Sequence, residues 1–345
     1  MIELAHLLKA FASGSRTALA RAITLIENHR HGYETVLHAL HGKLGQAHRI
    51  GITGPPGAGK STLSAALIER YRQRGEKVGV IAVDPTSPFT GGALLGDRIR
   101  MNEVALDQSV FIRSMATRGS LGGLAVTTKE VADVMDAFGF DRVLIETVGV
   151  GQSELDVAGA ADTTVVVLVP ESGDSIQAMK AGLMEAADLF VINKSDRPGA
   201  DRIAREIQLM LHLRLGPTLR NVPAHHGVDL KPIGRKPQPD PRAPAHAQWE
   251  PPVLQTVAET GQGVNELAEA LDRHLTYLRD SGELSRRRRA RLKERVREAV
   301  ERRVHEGIWQ RAGGQALLDE AADALESGEE TPYSVADRIV RAALG

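Results

Sequence analysis

The residues from Gly54 to Ser61, GPPGAGKS, have types and a spacing suited to holding phosphate groups. They match the pattern G-x-x-x-x-G-K-[ST], with the strand-like run RIGIT before them and a helical segment after them. Gly57 and Gly59 permit a tight turn that aims backbone N–H groups at phosphate oxygens. Lys60 brings charge to the β and γ phosphates, and the Ser61 hydroxyl is a Mg²⁺ ligand. This context disfavours a glycine turn that binds nothing. The predicted nucleotide contacts in this phosphate loop are Gly54, Gly57, Ala58, Gly59, Lys60, Ser61 and Thr62.

A second motif, NKSD at 193–196, follows the apolar run LFVIN and indicates which base is bound. The Asp196 carboxylate can accept from both N1–H and the N2 amine of guanine, whereas adenine would present an acceptor to it. Alone, the four residues could be an Asx turn, but downstream of a phosphate loop the guanine interpretation is favoured. TVAE at 256–259 is a weaker third motif, placed where a backbone N–H can reach the guanine O6. The predicted guanine contacts are Asn193, Lys194, Asp196, Val257, Ala258 and Glu259.

Three carboxylates are candidates for a metal site and a nucleotide switch. Asp84 and Glu146 end strand-like runs, and Asp97 lies in the Gly-rich stretch LLGDRIRM. Acids at the carboxyl ends of parallel strands can meet Mg²⁺ directly or through water. Each has a plainer interpretation: a turn or cap for Asp84, a solvated loop acid for Asp97, a strand running into a turn for Glu146. Jointly they favour a switch in which the Gly149 N–H lies near the γ-phosphate. The predicted metal set is Ser61, Asp84, Asp97 and Glu146.

Short apolar runs alternating with helix-length segments must position these groups. Because the runs are apolar on both faces, we expect a mainly parallel sheet covered by helices on both sides, a doubly wound α/β fold. The predicted strands are 49–53, 78–83, 109–114, 142–147, 163–169, 189–193 and a run starting at 253.

The flanking regions have different patterns. Residues 1–45 predict two or three helices, and 217–248 is rich in proline and predicts a long surface loop. A helix over 285–309 carries an apolar i, i+4 stripe among Arg and Glu, which favours packing on a partner over binding nucleic acid. We therefore predict an N-terminal helical region, a nucleotide-binding domain and a C-terminal helical arm over 1–45, 46–280 and 281–345.

Composition narrows the class of protein. Of 345 residues, 42% are hydrophobic and 25% charged, with a formal net charge of −1, so nothing global indicates a nucleic-acid partner. The chain has no cysteine, which excludes disulfides and thiolate metal ligands. The N-terminus lacks the h-region of a secretory signal, and no apolar stretch is long enough for a membrane span. The expectation is a cytoplasmic protein.

The ordered set of motifs resembles the MeaB/ArgK family of G proteins. It comprises GITGPPGAGKST, VDPTSPFTGGALLGDRIRM, FIRSMATRG, ETVGVGQSE, VPESGDSIQAMKAGLMEAADLFVINKSD and WEPPVLQTVAETGQG. The resemblance implies a P-loop GTPase that converts GTP to GDP with Mg²⁺ and is a chaperone of adenosylcobalamin-dependent acyl-CoA mutases. It further implies a C-terminal dimerisation arm, hence a homodimer, and contact with an adenosyltransferase. Its gating role would be to license cofactor loading and to help eject damaged cofactor.

The resemblance also assigns residues beyond the phosphate and guanine motifs. Asp174, Gln177 and Lys180 match a further switch loop, although the chain reads GDSIQAMKAG where GDELQGIKKG is commoner. We predict Lys60, Asp97, Glu146, Gln152 and Lys180 as catalytic residues. Gln152 could orient the attacking water, or it could equally bond the backbone beside its glycine turn. Hydrolysis by the isolated chain should be slow, because no arginine stands in an obvious finger position.

Two alternative functions use the same phosphate loop. A metal-insertion GTPase usually carries Cys or His clusters, and this chain offers only the adjacent pair His225 and His226. A kinase needs an acceptor site with a base near the γ-phosphate, and the sequence shows none.

Overall fold

A computed structural model describes residues 2–85, 107–117, 126–147, 153–172, 181–215, 249–311 and 313–344. The backbone of Asp84 is described and its side chain is not. Several predictions of the sequence lie outside the described residues: Asp97, Gly149, Gln152, Asp174, Gln177, Lys180 and the loop 217–248.

Seven parallel strands form one sheet in the described chain, in the order β3-β2-β4-β1-β5-β6-β7. Strands that are sequence neighbours are often not sheet neighbours, so helical crossovers connect them, which is the doubly wound arrangement. The predicted strands and fold class are confirmed. The strands are β1 (His48–Thr53), β2 (Val78–Pro85), β3 (Val110–Thr117), β4 (Arg142–Thr147), β5 (Thr163–Leu168), β6 (Leu189–Asn193) and β7 (Val253–Thr256).

Helices precede, connect and follow the strands along the chain. The first three precede β1, in the region where the sequence predicted two or three helices. The α-helices are α1 (Ile2–Ala12), α2 (Arg16–Glu27), α3 (Tyr33–Leu40), α4 (Lys60–Gln73), α5 (Val126–Phe138), α6 (Ser153–Ala160), α7 (Ala181–Ala186), α8 (Ala200–Leu215), α9 (Val264–Asp280), α10 (Glu283–Glu306), α11 (Gly314–Glu320), α12 (Ala322–Ser327) and α13 (Pro332–Leu344).

The sheet is buried on both faces because alternate side chains of each strand enter different cores. Ile50 and Leu144 pack with α4 and α9 on one face. Val143 and Ile145 pack on the other with α5 and with the N-terminal helices, which contribute Ile23 among others. The packed strands thus hold their ends in fixed register. Polar side chains at the amino ends and at the carboxyl ends of the strands are positioned by this register.

The edge formed by the amino ends of the strands carries a buried row of polar side chains. Arg142 Nη1 lies 3.0 Å from His48 Nδ1, and His48 Nε2 lies 2.7 Å from the Thr163 hydroxyl. That hydroxyl lies 2.8 Å from His274 Nδ1, and His274 Nε2 lies 3.4 Å from Asp188 Oδ1. We call Arg142, His48, Thr163, His274 and Asp188 the amino-edge chain. It joins β4, β1, β5, α9 and the residue that precedes β6.

Contacts divide the chain into two compact units, Met1–Ser285 and Arg286–Gly345. In the second unit, Ala321, Val335 and Ile339 form a small core. The domain boundaries at about residues 45 and 280 stay a prediction. None of the described helices is both long enough and apolar enough to cross a membrane.

The apolar stripe predicted on the long basic helix lies on α10. Four of the five predicted side chains, Leu292, Val296, Val300 and Val304, are exposed, with Val296 at 64%. The fifth, Ile308, lies beyond the end of α10 and packs against the small core of the second unit, so the prediction was wrong for that residue. Apolar side chains repeated at i, i+4 on an exposed helix mark a surface suited to another apolar surface.

Candidate nucleotide site

The phosphate loop connects β1 to α4 at the carboxyl edge of the sheet, as its sequence context predicts. Gly54 has φ 137°, and a Cβ there would lie 2.0 Å from the Val167 carbonyl oxygen. Gly59 has φ 83°, and a Cβ there would lie 2.4 Å from Asn193 Nδ2. Both positions therefore require glycine, for backbone conformation and for space. Ser61 and Thr62 follow in the first turn of α4, at the helix end that favours anions.

The Lys60 side chain is folded back over the loop. Its Nζ donates to the carbonyl oxygens of Gly54 and Pro55, each at 2.9 Å, and the residue is 5% exposed. A lysine ammonium has three donors on a flexible stem. The Lys60 ammonium group is therefore held inside the loop by two backbone carbonyls, and phosphate oxygens can replace these carbonyls as its hydrogen-bond acceptors.

Glu146 is held by two hydroxyl groups of α4. The Ser61 hydroxyl donates to Glu146 Oε1 at 2.5 Å, and the Ser64 hydroxyl donates to Oε2 at 2.9 Å. Glu146 stands at the end of β4, opposite Ile52 of β1, and is 4% exposed. A hydroxyl and a carboxylate oxygen are hard donors of the kind that Mg²⁺ takes. Of the predicted metal set, the structure brings Ser61 and Glu146 together.

Asn193 links the phosphate loop to the TVAE loop. Its Nδ2 donates to the Ala58 carbonyl at 2.9 Å, and its Oδ1 accepts from the Ala258 N–H at 3.0 Å and from the Thr256 hydroxyl at 3.2 Å. The residue is 2% exposed. Because one side chain satisfies groups from both loops, the phosphate-binding and base-binding parts of the site are fixed relative to each other.

Lys194 makes a second connection to the phosphate loop. It has φ 56°, a left-handed conformation that is uncommon for a residue other than glycine. Its Nζ donates to the Gly57 carbonyl at 2.9 Å. The Ser195 N–H donates to the Thr256 carbonyl at 3.0 Å, so the NKSD turn also rests on β7. Strained backbone held by several bonds is typical of a ligand-binding turn.

The acidic residues of the guanine motifs lie at the surface. Asp196 and Glu259 are both exposed, in the turns after β6 and β7. The Val257 N–H donates to the Gln262 carbonyl at 3.0 Å, which closes the TVAE loop. An exposed Asp196 carboxylate beside a buried Asn193 leaves the acid available to a base.

An ion pair borders the NKSD turn. Arg197 Nη1 lies 2.6 Å from Glu171 Oε1, and this hydrogen bond, with a backbone bond second, holds the pKa of Glu171 below its usual range. The same hydrogen bond raises the pKa of Arg197, and the Glu171 charge adds to the rise. Both groups are exposed, so the pair contributes little to stability.

Sequence reasoning missed two hydroxyl groups of this site, those of Ser64 and Thr256. Ser64 lies three residues after Ser61, on the same face of α4, and that spacing was the available signal. Thr256 was counted only as part of the TVAE motif. Both act through another polar side chain, Glu146 or Asn193, so no motif assigns their hydroxyl groups a role.

A phosphate loop at the carboxyl edge of a doubly wound parallel sheet, tied by an Asn-Lys-x-Asp turn to the next strand, defines the class of P-loop GTPases. The family model described as Methylmalonyl Co-A mutase-associated GTPase MeaB matches residues 19–312. The chain belongs to this family, as its motifs predicted, and it is a GTPase.

Relatives that match nearly the whole of this chain support this assignment. A Pyrococcus horikoshii protein named as a GTPase is 43% identical over 99% of this chain and 98% of its own. The mouse protein named methylmalonic aciduria type A homolog, mitochondrial, is 32% identical over 98% of this chain and 79% of its own.

A solved structure is similar over the same extent. The crystal structure of an LAO/AO transport system kinase has a TM-score of 0.66 and 29% sequence identity to this chain, covering 98% of this chain and 96% of the other.

Proposed function

We propose that this GTPase uses Mg²⁺ and gates the loading and repair of adenosylcobalamin in a cobalamin-dependent acyl-CoA mutase. The observation that carries the proposal is the hydrogen bond between Ser61 and Glu146. It joins the expected Mg²⁺ ligand directly to the acid that begins ETVGVGQSE. Loss of the metal or of a phosphate at Ser61 would therefore alter the hydrogen bond to Glu146 first, and through Glu146 it would alter the conformation of the segment that follows.

The side chains fit the phosphate and metal end of GTP. Ser61 would hold Mg²⁺ through its hydroxyl, and Glu146 would hold it through a carboxylate oxygen or a water; Asp84 and Asp97 are proposed to complete the set. When bound, Mg²⁺ would supply positive charge that neutralises the charge developing on the phosphate groups. Lys60 would exchange its two carbonyl partners for phosphate oxygens. Gln152 and Lys180 are proposed to act on the attacking water and the γ-phosphate.

The partner is inferred from the family and from one relative. The family description names an association with methylmalonyl-CoA mutase, and the mouse relative is named for methylmalonic aciduria. If the mutase supplies or aligns a missing catalytic group, GTP hydrolysis should be slow in the isolated chain and faster when the mutase is bound. Contact with an adenosyltransferase that delivers the cofactor is also proposed, from the resemblance of the motifs to the family alone. Methylmalonyl-, isobutyryl-, hydroxyisobutyryl- and ethylmalonyl-CoA mutases are all candidate partners.

Asp196→Asn tests the base-reading part of the proposal. An asparagine amide offers a donor where guanine also has donors, so GTP affinity should fall by at least about 100-fold. Xanthosine triphosphate carries a carbonyl at C2 and should bind the variant better than GTP. Exposed Asp201, in α8, supplies the matched control, because Asp201→Asn removes the same charge outside the NKSD turn. Unchanged guanine preference in Asp196→Asn would contradict the role of Asp196.

The gating role needs the mutase in the assay. Release of free phosphate from GTP should accelerate when a purified cobalamin-dependent mutase is added, and Lys60→Ala should abolish the stimulated rate. Cofactor transfer to the mutase should depend on GTP in the wild type and be lost in Lys60→Ala. Full transfer with Lys60→Ala would mean that the chain acts as a scaffold, and a phosphorylated acceptor in place of free phosphate would favour a kinase.

We also propose that α10 mediates homodimer formation. The exposed stripe of Leu292, Val296, Val300 and Val304 fits a second copy of the same helix. Light scattering should give a dimer for the wild type and a monomer for Val296→Glu. Ala290→Glu introduces the same charge on an exposed part of α10 outside the stripe, so it should remain a dimer. A dimeric Val296→Glu would exclude the stripe as the interface.

A further inference from the structure

Ser64 carries a buried hydroxyl group that has no role in the function proposed above. It lies in α4, one helical turn beyond Lys60 and three residues after Ser61, and it is 0% exposed. A serine inside a helix can satisfy its hydroxyl on the carbonyl four residues earlier. Here the hydroxyl instead donates to Glu146 Oε2 at 2.9 Å, across 82 residues of sequence. Its bond is therefore directed at the metal-site acid rather than at its own helix.

We propose that Ser64 is a positioning residue that fixes the orientation of the Glu146 carboxylate toward Mg²⁺. This inference rests on the proposed use of Mg²⁺ by this site. With Ser61 on Oε1 and Ser64 on Oε2, the two carboxylate oxygens are bonded to separate donors of one helix.

The physical reason is the freedom of the terminal torsion of glutamate. The torsion that rotates a carboxylate about its own axis has broad minima, so one hydrogen bond leaves the second oxygen poorly fixed. Two donors on a rigid helix determine the plane of the group. Outer partners of metal-site carboxylates act in this way on metal affinity. Ser64 would thereby determine where Oε1 points when Ser61 also coordinates the ion.

Release of a fluorescent GDP analogue, measured with Mg²⁺ and with EDTA, tests this role without requiring hydrolysis. Wild-type protein should release the analogue more slowly with Mg²⁺. In Ser64→Ala the rate with Mg²⁺ should rise about 10-fold, the lower end of the effect of outer-partner substitutions. The rate in EDTA should stay at the wild-type value, because Ser64 acts only through the metal-site acid.

Two variants serve as matched controls. Ser64→Thr retains a hydroxyl and should restore most of the Mg²⁺ effect. Thr128→Val removes another buried hydroxyl, on α5, which has no hydrogen-bond partner among the described residues, and it should leave both rates unchanged. If Ser64→Ala fails to fold, Ser64→Cys keeps a weak donor of similar size and should show a smaller Mg²⁺-specific acceleration.

The possible failures are distinguishable. Unchanged release from Ser64→Ala with Mg²⁺ would overturn the positioning role and leave the metal proposal intact. Equal acceleration with Mg²⁺ and with EDTA would also overturn it, because that result indicates general loosening of the loop. A wild-type protein with no Mg²⁺ effect would overturn the metal proposal, and the role of Ser64 with it.

Discussion

The two edges of the sheet use the same strands to hold polar groups in different ways. At the carboxyl edge, Lys60 is bonded to loop carbonyls and Ser61 to Glu146, partners for which phosphate and Mg²⁺ would compete. At the amino edge, the side chains of the amino-edge chain contact one another. The Thr163 hydroxyl, for example, lies within hydrogen-bond distance of two imidazole rings, those of His48 and His274. The first edge is built from partners that a ligand can replace, and the second from buried side chains that contact one another.

This difference separates binding from stability within one sheet. Substitutions at the carboxyl edge should change nucleotide binding and hydrolysis with little change in the free energy of unfolding. Substitutions at the amino edge should do the reverse. Four variants test the comparison, beginning with the largest expected effect.

Lys60→Ala should lower the rate constant of GTP hydrolysis by about 10²–10³-fold, the loss typical of removing one stabilising donor from an active site. Its free energy of unfolding should change by less than about 1 kcal/mol, because water can replace the lysine at the loop carbonyls. Single-turnover hydrolysis and urea denaturation of the nucleotide-free protein measure the two quantities. A large loss of stability would show that Lys60 is a structural part of this edge.

Thr163→Val should lower the free energy of unfolding by about 3 kcal/mol. It removes the hydroxyl between His48 and His274 and leaves two buried ring nitrogens without their partner, each costing about 1–3 kcal/mol. Denaturation by urea gives the stability, and GDP affinity should match the wild type under conditions where the variant is folded. Thr128→Val again serves as the control for removing a buried hydroxyl. Weaker GDP binding by folded Thr163→Val would break the separation of the two edges.

Thr256→Val should accelerate GDP release about fivefold, which corresponds to one lost hydrogen bond of about 1 kcal/mol. The hydroxyl it removes holds Asn193 Oδ1, so the link between the phosphate loop and the TVAE loop weakens. Thr276→Val provides the comparison, since the exposed Thr276 hydroxyl donates to the Asp272 carbonyl of its own helix, α9. Equal release rates from the two variants would mean that Asn193 is held without Thr256.

Tyr71→Phe should raise the free energy of unfolding by about 1 kcal/mol. The Tyr71 hydroxyl is fully buried, and no hydrogen-bond partner for it occurs among the described residues. The ring would keep its contact with the Arg142 guanidinium, 4.7 Å from the ring centroid. An unchanged or lower stability would mean that the hydroxyl is satisfied in solution.

The same variant should remove an alkaline sensitivity. Burial raises the pKa of Tyr71, with the charges of Asp272 and Glu76 adding to the rise and Arg142 opposing it. An unfolded tyrosine ionises near pH 10, while the folded one keeps its proton. Wild-type stability should therefore fall as pH rises above about 10, through the folded pKa, and the phenylalanine variant should fall less. Urea denaturation across that pH range measures the difference.

The functional residues of the carboxyl edge were predictable from sequence because most of them belong to short contiguous motifs. Gly54 to Ser61 and the NKSD turn each follow an apolar strand, so local pattern determined both the strands and the placement of the motifs. For Ser64, spacing indicates only the face of α4 that it shares with Ser61; its bond to Glu146 was not predictable, since Glu146 is fixed only when β4 lies beside β1.

The amino edge was not predictable for a related reason. His48, Thr163 and His274 are separated by more than 100 residues at each step and belong to no motif. Each would singly pass for an ordinary polar residue of a strand or a helix. Their meeting depends on strand order and register, which a periodic pattern of apolar residues does not specify.

The amino-edge chain also has a direction. A guanidinium can only donate, so His48 Nδ1 must accept from Arg142, which places the His48 proton on Nε2 facing Thr163. The Thr163 hydroxyl then accepts from His48 Nε2–H, and it also lies 2.8 Å from His274 Nδ1. The buried His48 imidazole is thereby fixed in one tautomer, Nε2–H, by a single arginine at the end of the row. Its ring ¹⁵N resonances should report that tautomer for as long as Arg142 is in place.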